Sequence, residues 1–246
     1  MLHPRVLKSR AIILNMRPFG EQDKIIDAWT EKSGRISGLA KSAQKSRKRF
    51  GGRLDYFSLV ELHYQERPHS ILYFIQSCDL LQSFENIKCD VSQSAMASYL
   101  CELILRMMQE KQPDEGLFFF FVQTLEGMNN TGQESMMKVL NFKLYFMKSL
   151  GLQLLLNRCC QCKSVWEIYG EYPLSFRQGG LLCPACRKKN LVDEVLSLAL
   201  YEYIEGKRSF LSDDDQHKLH RILNSYLEYQ YGFAFRSFQY LNYFSK

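Results

Sequence analysis

Two closely spaced pairs of cysteines carry the most specific chemistry in this 246-residue sequence. Cys159 and Cys162 form one C-x-x-C pair, and Cys183 and Cys186 form a second pair after a spacer of twenty residues. Two thiolates three residues apart can reach one ion from a single turn, and a second pair completes the tetrahedral coordination that Zn²⁺ prefers. The spacing predicts one bound zinc ion. Because four cysteine ligands leave no open coordination position, we expect this zinc to be structural rather than catalytic.

Two alternatives to this zinc site stay open at the level of the sequence. The cysteines could form disulfides or remain buried thiols, and Cys160 could in principle replace Cys159, although the two-residue spacer favours Cys159. The N-terminus lacks the apolar run of an export signal, so we expect a cytoplasmic protein, in which paired cysteines bind metal more often than each other. No apolar run approaches membrane-spanning length, so no membrane partner is expected.

A run of positively charged residues lies far from the cysteines in the sequence, between Lys32 and Leu54. It holds eight basic and no acidic residues. Because the formal net charge of the whole chain is +6, the residues outside this run have a net charge of −2. Such a cluster suits a polyanion, and an ordinary solvated loop is the alternative. Phe50 or Tyr56 could add stacking on bases. The residues predicted to contact DNA are Arg35, Lys41, Lys45, Arg47, Lys48 and Arg49.

The sequence lacks several common catalytic and cofactor-binding motifs. It has no Walker-type phosphate loop, no G-x-S-x-G, no H-E-x-x-H and no dinucleotide-binding glycine pattern. His217 and His220 are three residues apart, but such a pair without a further ligand is more typical of a solvated helix face. We therefore expect a protein that is not an enzyme. A zinc-containing nucleic-acid enzyme, such as a nuclease, is the alternative, and an interaction protein that binds an acidic tail is a third possibility.

The elements that position these residues change character near residue 80. Five strand-like runs occupy residues 5–16, 23–30, 35–40, 56–64 and 71–75, with a turn expected at residues 17–20. Five short strands with one basic hairpin predict an OB-type barrel.

Helical periodicity then takes over, at residues 92–110, 117–128 and 134–150. Phe118 to Phe121 are expected to be core residues of the second of these helices. After the cysteines, Asp193 is a predicted N-cap and Ser212 is a second one. The expected architecture is α+β, with an OB-fold domain at residues 1–80 and a helical domain at residues 81–246. A Cys₄ zinc-ribbon-like module is inserted at residues 157–190.

The order of these features resembles that of the RecO family of bacterial recombination mediators. The resemblance covers most of the chain. The matching segments are GEQDK at 20–24, WTEKSGRI at 29–36, AKSA at 40–43, LGL at 150–152, and GGLLC at 179–183 with both cysteine pairs. The sequence departs from the family pattern at Ser42, where glycine is usual, and at residues 154–156, where a proline is often found. Neither departure removes a charge or a metal ligand.

The resemblance implies an N-terminal OB fold, a helical domain and a zinc finger set into it. It also implies binding of single- and double-stranded DNA and annealing of complementary strands. The implied partners are RecR, the acidic C-terminal tail of single-strand-binding protein (SSB) and, indirectly, RecA, which is helped to replace SSB. The same activity implies a location at the nucleoid. None of these activities requires covalent chemistry.

Overall fold

The computed structural model describes residues 6–46, 48–131, 135–165 and 170–239. The chain divides into two units, of which the first contains Met1–Ser135 and Phe235–Lys246 and the second contains Met136–Ala234. Over these described ranges, no helix is both long enough and apolar enough to cross a membrane.

A closed five-stranded barrel occupies the first part of the first unit. Its strands are β1 (Val6–Phe19), β2 (Asp23–Thr30), β3 (Gly34–Ala40), β4 (Leu59–Gln65) and β5 (Tyr73–Gln82). Around the barrel they follow the order β1-β2-β3-β5-β4, and β4 pairs with β1 to close it. The β3–β5 pair is parallel and the other pairs are antiparallel. This arrangement confirms the predicted α+β fold with an OB-type barrel.

Alternating side chains fill the interior of the barrel, because successive residues of a strand point to opposite faces. The buried cluster includes Ala11, Ile13, Ile26, Ala28, Ile36, Ala40, Val60, Leu62 and Ile75. Phe50 and Leu54 belong to the same cluster although they lie between β3 and β4; they are 2% and 7% exposed. The β3–β4 connection is therefore held to the barrel by two apolar side chains.

The hairpin between β1 and β2 is longer than the sequence predicts. Arg17, Pro18 and Phe19 were expected to form a turn, but they pair with the first residues of β2. The chain reverses only after Phe19, where Gly20 adopts a left-handed conformation with φ of 61°. Hairpin pairing with β2 overrides the turn preference of the Pro-Phe-Gly cluster, because Pro18 can sit in a strand where its missing N–H is not needed.

Three helices follow the barrel within the first unit: α1 (Glu85–Cys89), α2 (Val91–Met107) and α3 (Glu115–Thr131). Asp90 caps α2 by accepting a hydrogen bond from the amide of Gln93 at 2.9 Å. The ring of Trp29, on the outside of the barrel, lies 5.6 Å from the rings of both Phe118 and Phe121 of α3. The core interpretation of the phenylalanine run is confirmed for these two residues.

The second unit combines helices with a small sheet. Its elements are α4 (Ser135–Ser149), which starts at the unit boundary, β6 (Tyr172–Ser175), β7 (Gly180–Leu181), α5 (Pro184–Arg187), β8 (Glu194–Leu196), α6 (Leu198–Ile204) and α7 (Asp213–Tyr231). Strand β6 lies in the middle of the order β7-β6-β8.

One of the two predicted caps in the second unit is correct. The hydroxyl of Ser212 accepts from the amide of Asp215 at the start of α7, as expected. The prediction that Asp193 begins a helix is wrong, because the segment after it pairs with β6 as strand β8. The carboxylate of Asp193 instead accepts from the amide of Phe176 at 2.7 Å, and the N-cap of α6 is Ser197.

Candidate metal centre and nucleic-acid interface

Four cysteines of the second unit come together at one point. The sulfur atoms of Cys159, Cys162, Cys183 and Cys186 all lie within 4.8 Å of one another. The Sγ atoms of Cys162 and Cys183 are 3.7 Å apart, which matches the edge of about 3.8 Å expected for a tetrahedron of sulfurs bound to zinc. A disulfide would need about 2.05 Å, and all of these thiols are free. The group is therefore arranged to hold a metal ion and not to form disulfides.

Two tight turns present the four sulfur atoms. In the first, the amide of Lys163 donates to the carbonyl of Cys159 at 3.0 Å, and Lys163 is left-handed with φ of 62°. In the second, the amide of Arg187 donates to the carbonyl of Cys183 at 2.8 Å as α5 begins. The amide of Cys183 also points at Cys159 Sγ, 3.4 Å away. An amide donor directed at sulfur favours the thiolate, which is the form that binds metal.

The acidity of the thiols shows why a cation suits this cluster. Hydrogen bonds from the side chain and the amide of Ser164 lower the pKa of Cys162 to about 6. Desolvation, together with the neighbouring thiols of the cluster, raises the pKa of Cys186 to about 12. Without an ion, the crowded sulfurs therefore cannot all ionise at neutral pH. A bound divalent cation would stabilise all four thiolates together.

Cys160 lies outside this group. Its side chain is 4% exposed, and its amide donates to the carbonyl of Leu181 at 2.8 Å. Burial raises the pKa of the Cys160 thiol to about 11, so the thiol stays protonated at neutral pH. The structure thus groups Cys159, not Cys160, with the other three cysteines.

The basic run lies in the first unit, mainly in the connection between β3 and β4, and residues 41–54 are called the basic loop below. Its first part is fastened to the β1–β2 turn: the amide of Ser42 donates to Asp23 Oδ1 at 2.8 Å, and the amide of Gln44 donates to the carbonyl of Gln22 at 3.0 Å. Ser42 is left-handed with φ of 55°, a conformation that glycine adopts with less strain. The end of the loop is held by its apolar residues in the barrel core.

Two arginines of the basic loop, Arg49 and Arg53, are occupied by contacts inside the unit. Arg49 donates to the carbonyl of Lys41 at 2.8 Å, and its guanidinium lies 5.1 Å from the centre of the Phe50 ring. Arg53 forms an ion pair with Asp79 at 3.2 Å. The planar guanidinium has several donors and suits such bridging of carbonyls and carboxylates. These arginines therefore shape the loop.

The lysines of the basic loop are placed differently. Lys41, Lys45 and Lys48 are exposed. Among the described residues, none of their ammonium groups makes a hydrogen bond or an ion pair. Their charges are therefore available to a ligand in solution. Arg47, which the sequence also assigns to DNA contact, lies outside the described residues.

Arg35 is engaged within the first unit as well. Its Nε donates to the carbonyl of Met108 at 3.2 Å, and its NH1 pairs with Glu110 Oε1 at 3.2 Å. The side chain is only 18% exposed. These contacts connect β3 with the segment that follows α2, and they leave little of the Arg35 guanidinium for a ligand.

The two aromatic residues considered for base stacking have different surroundings. Phe50 is buried in the barrel core, so the expectation that it could stack on bases is wrong. Tyr56 is 40% exposed, and its hydroxyl donates to the carbonyl of Met16 at 2.9 Å. Its ring therefore remains accessible, although its hydroxyl is already used.

A second group of metal-ligand types lies on β4 and β5, where Glu61, His63 and Asp79 approach one another. Each carboxylate of the group already has a basic partner: Lys8 pairs with Glu61 at 2.7 Å, and Arg53 pairs with Asp79 at 3.2 Å. These ion pairs account for the cluster without a metal ion.

Within the described part of the chain, the histidine pair of α7 belongs to no group of three or more potential metal ligands. His217 is exposed, but His220 is buried, so the expectation of a solvated face is wrong for His220. Lys143 of α4 donates to the carbonyl of His220 at 3.0 Å, and its Nζ lies 3.4 Å from His220 Nδ1. This polar contact is enclosed by the helices of the second unit.

The sequence predicts DNA contact for arginines and lysines of the run alike. Only the structure shows that Arg35, Arg49 and Arg53 are bound internally while the described lysines are exposed. The residue type itself carries a partial signal, because a guanidinium is better suited than an ammonium to several fixed contacts. The partners Glu110 and Asp79 lie too far away along the chain to be identified from the run alone.

Comparison with known proteins gives one consistent result for both parts of the chain. Residues 4–84 match the family described as Recombination protein O N terminal. Residues 88–238 match the family described as Recombination protein O C terminal. The two matches follow each other in the chain with only a short gap.

Several relatives that match over most of their length share the name DNA repair protein RecO. The chain is 29% identical over 243 residues to the one from Desulfatibacillum aliphaticivorans, which covers 94% of both chains. It is 31% identical over 202 residues to the one from Caldanaerobacter subterraneus subsp. tengcongensis, covering 80% of each. For Syntrophobacter fumaroxidans the identity is 31% over 180 residues, which is 73% of this chain and 71% of the relative.

Proposed function

Since this chain belongs to the recombination protein O (RecO) family and has a role in DNA repair, we propose that it binds single- and double-stranded DNA and anneals complementary strands. The observation that carries the proposal is the set of three exposed lysines on the basic loop, Lys41, Lys45 and Lys48. Neutralising phosphates with these lysines releases counterions, so binding weakens as salt concentration rises. Two strands screened by one basic surface can approach each other and pair.

The six side chains predicted to contact DNA have different roles in this proposal. The three lysines contact phosphate directly, and Arg47 belongs with them by its position in the sequence. Arg49 supports the loop through the carbonyl of Lys41, and Arg35 supports β3 through Glu110. Both arginines add positive potential at the surface without leaving their internal partners.

The cysteine cluster would bind one structural Zn²⁺ ion through Cys159, Cys162, Cys183 and Cys186. Support comes from the separation of Cys162 and Cys183, 3.7 Å, and from the amides that point at sulfur. When bound, the ion supplies folding free energy to the second unit. With four protein ligands the ion would have no open position for a substrate, so it would take no direct part in catalysis.

The resemblance to the family supports a proposal about the partners. We propose that the protein works with RecR, contacts the acidic C-terminal tail of SSB, and so helps RecA onto SSB-coated DNA at the nucleoid. In this scheme residues 1–80 form the DNA-binding domain, and residues 81–246, with the metal module at 157–190, form the helical domain. A tail peptide of SSB that binds without displacing DNA from the basic loop would support separate sites for the two ligands.

Strand annealing by the purified protein tests the proposed function. Two complementary labelled oligonucleotides are mixed with the protein at several salt concentrations, and duplex formation is followed by fluorescence transfer. We expect annealing to exceed the protein-free rate and to decline as salt increases. No acceleration at any salt concentration would contradict the proposal.

The same DNA incubated with protein and Mg²⁺ separates this function from the alternative of a zinc-containing nuclease. We expect the oligonucleotides to keep their full length. Cleavage that is lost when Cys183 is replaced by serine would favour the enzyme instead.

A further inference from the structure

Phe19 is a large aromatic residue exposed at the end of the β1–β2 hairpin. Its side chain is 51% exposed, and within the described part of the chain no aromatic ring or guanidinium packs on it. Single exposed apolar residues are common on protein surfaces, so exposure alone does not indicate a function. The position of Phe19 relative to the basic loop is the informative feature.

The hairpin register places Phe19 beside the start of the basic loop. Phe19 lies directly opposite Asp23, and opposite residues of an antiparallel pair project to the same face with Cβ atoms about 5 Å apart. The carboxylate of Asp23 accepts from the amide of Ser42, and the carbonyl of Asp23 accepts from the side chain of Gln44 at 3.3 Å. The ring of Phe19 therefore stands on the face where residues 42–44 are fastened.

The charges around Phe19 distinguish a base-binding side from a phosphate-binding side. Lys41 and Lys45 flank the fastened segment, and both are exposed. Glu21, exposed in the turn next to Phe19, repels phosphate. A single strand therefore gains most when its phosphates lie towards the lysines and its bases lie towards the hairpin.

From these positions we propose that Phe19 stacks on a nucleobase of single-stranded DNA whose phosphates are bound by Lys41 and Lys45. Every base has a π face, so this contact is insensitive to sequence. Bases inside a duplex are already stacked on each other and do not offer that face. Phe19 thereby gives the basic loop a preference for single strands. This inference rests on the proposed DNA binding by the same loop.

An alanine substitution with a matched control tests the contact. Phe19→Ala should weaken binding of oligo(dT) about tenfold while changing affinity for a blunt duplex less than twofold. Phe119→Ala is the control, because Phe119 is 53% exposed on α3 and lies outside the basic loop and the β1–β2 hairpin. Equal affinity of the Phe19→Ala and Phe119→Ala proteins for oligo(dT) would overturn the proposal.

A tryptophan at the same position gives a second, independent measurement. The native chain has two tryptophans, Trp29, which is fully buried, and Trp166, so the fluorescence of Phe19→Trp is measured in a Trp166→Phe background, where the added indole reports stacking. We expect strong quenching by oligo(dT), and little quenching by inorganic polyphosphate, which offers charge without bases. Equal quenching by both polyanions would contradict stacking.

The inference and the proposed function fail in different ways. If Lys41→Ala and Lys45→Ala leave all DNA binding unchanged, the basic loop is not the binding surface, and both the proposed role of its lysines and the stacking contact fail. If those lysine variants lose affinity for every DNA while Phe19→Ala loses none, only the stacking contact fails.

Discussion

At the scale of single residues, Arg49 and Arg53 hold the basic loop through their internal partners, while Lys41, Lys45 and Lys48 are exposed. The grouping of the four cysteines could be predicted from their residue type and spacing, because few other arrangements suit two such pairs. Residue type and spacing predicted the basic surface less well. Arg35 and Lys41 look alike in the run, yet one is paired with Glu110 and the other is exposed. The pairing depends on a residue 75 positions further along the chain, which no local pattern specifies.

Substitution of adjacent cysteines separates the metal ligand from its neighbour. Cys159→Ser should abolish metal binding and lower the melting temperature, because the ion contributes folding free energy. Cys160→Ser is the matched control, and it should retain one metal ion per chain with only a small loss of stability. Metal analysis and thermal unfolding of the two proteins check this. If the Cys160→Ser protein loses the ion and the Cys159→Ser protein retains it, then Cys160 is the ligand, and the prediction is contradicted.

At the scale of elements, strands and caps were predictable where local chemistry and tertiary pairing agree. Ser212 caps α7 as its sequence indicates, and Gly151 is left-handed after α4 with φ of 71°. Asp193 shows the opposite case, since its capping preference is overridden by pairing of β8 with β6. The local sequence indicates which secondary structure a segment prefers by itself. Pairing with a neighbouring strand can override that preference.

The contact between α4 and α7 gives a prediction about stability and pH. Desolvation lowers the pKa of the buried Lys143 ammonium well below its usual 10.5. The unfolded chain therefore binds a proton that the folded chain does not, between the lowered pKa and 10.5. Over that range, the free energy of unfolding contributed by Lys143 rises with pH.

Lys143→Met should remove this dependence, because methionine fills a similar volume without a charge. We expect the variant to be more stable at pH 7 by about 1–3 kcal/mol, with the gain shrinking as pH approaches 10.5. Urea unfolding of both proteins at pH 7 and pH 9.5 measures the difference, and groups common to both cancel. Lys148→Met, at an exposed position of α4, is the control and should change stability by no more than about 0.5 kcal/mol. A gain that is the same at both pH values would refute the assigned cause.

At the scale of the whole molecule, the cysteine cluster and the proposed DNA-binding surface lie in different units. The cysteine cluster belongs to the second unit, and the basic loop belongs to the first. The positive charge of the chain is concentrated in one segment, since the residues outside the run of Lys32 to Leu54 have a formal net charge of −2. DNA affinity should therefore follow the lysines of the basic loop rather than the overall net charge.

The salt dependence of DNA binding tests this claim most directly. The triple variant Lys41→Ala, Lys45→Ala, Lys48→Ala is compared with a control that loses the same charge from exposed lysines of the second unit, Lys148→Ala, Lys188→Ala, Lys189→Ala. For single-stranded DNA, the account predicts that the slope of log K against log salt flattens by about 2 in the basic-loop variant and hardly changes in the control. Equal slopes and affinities for the two variants would contradict it.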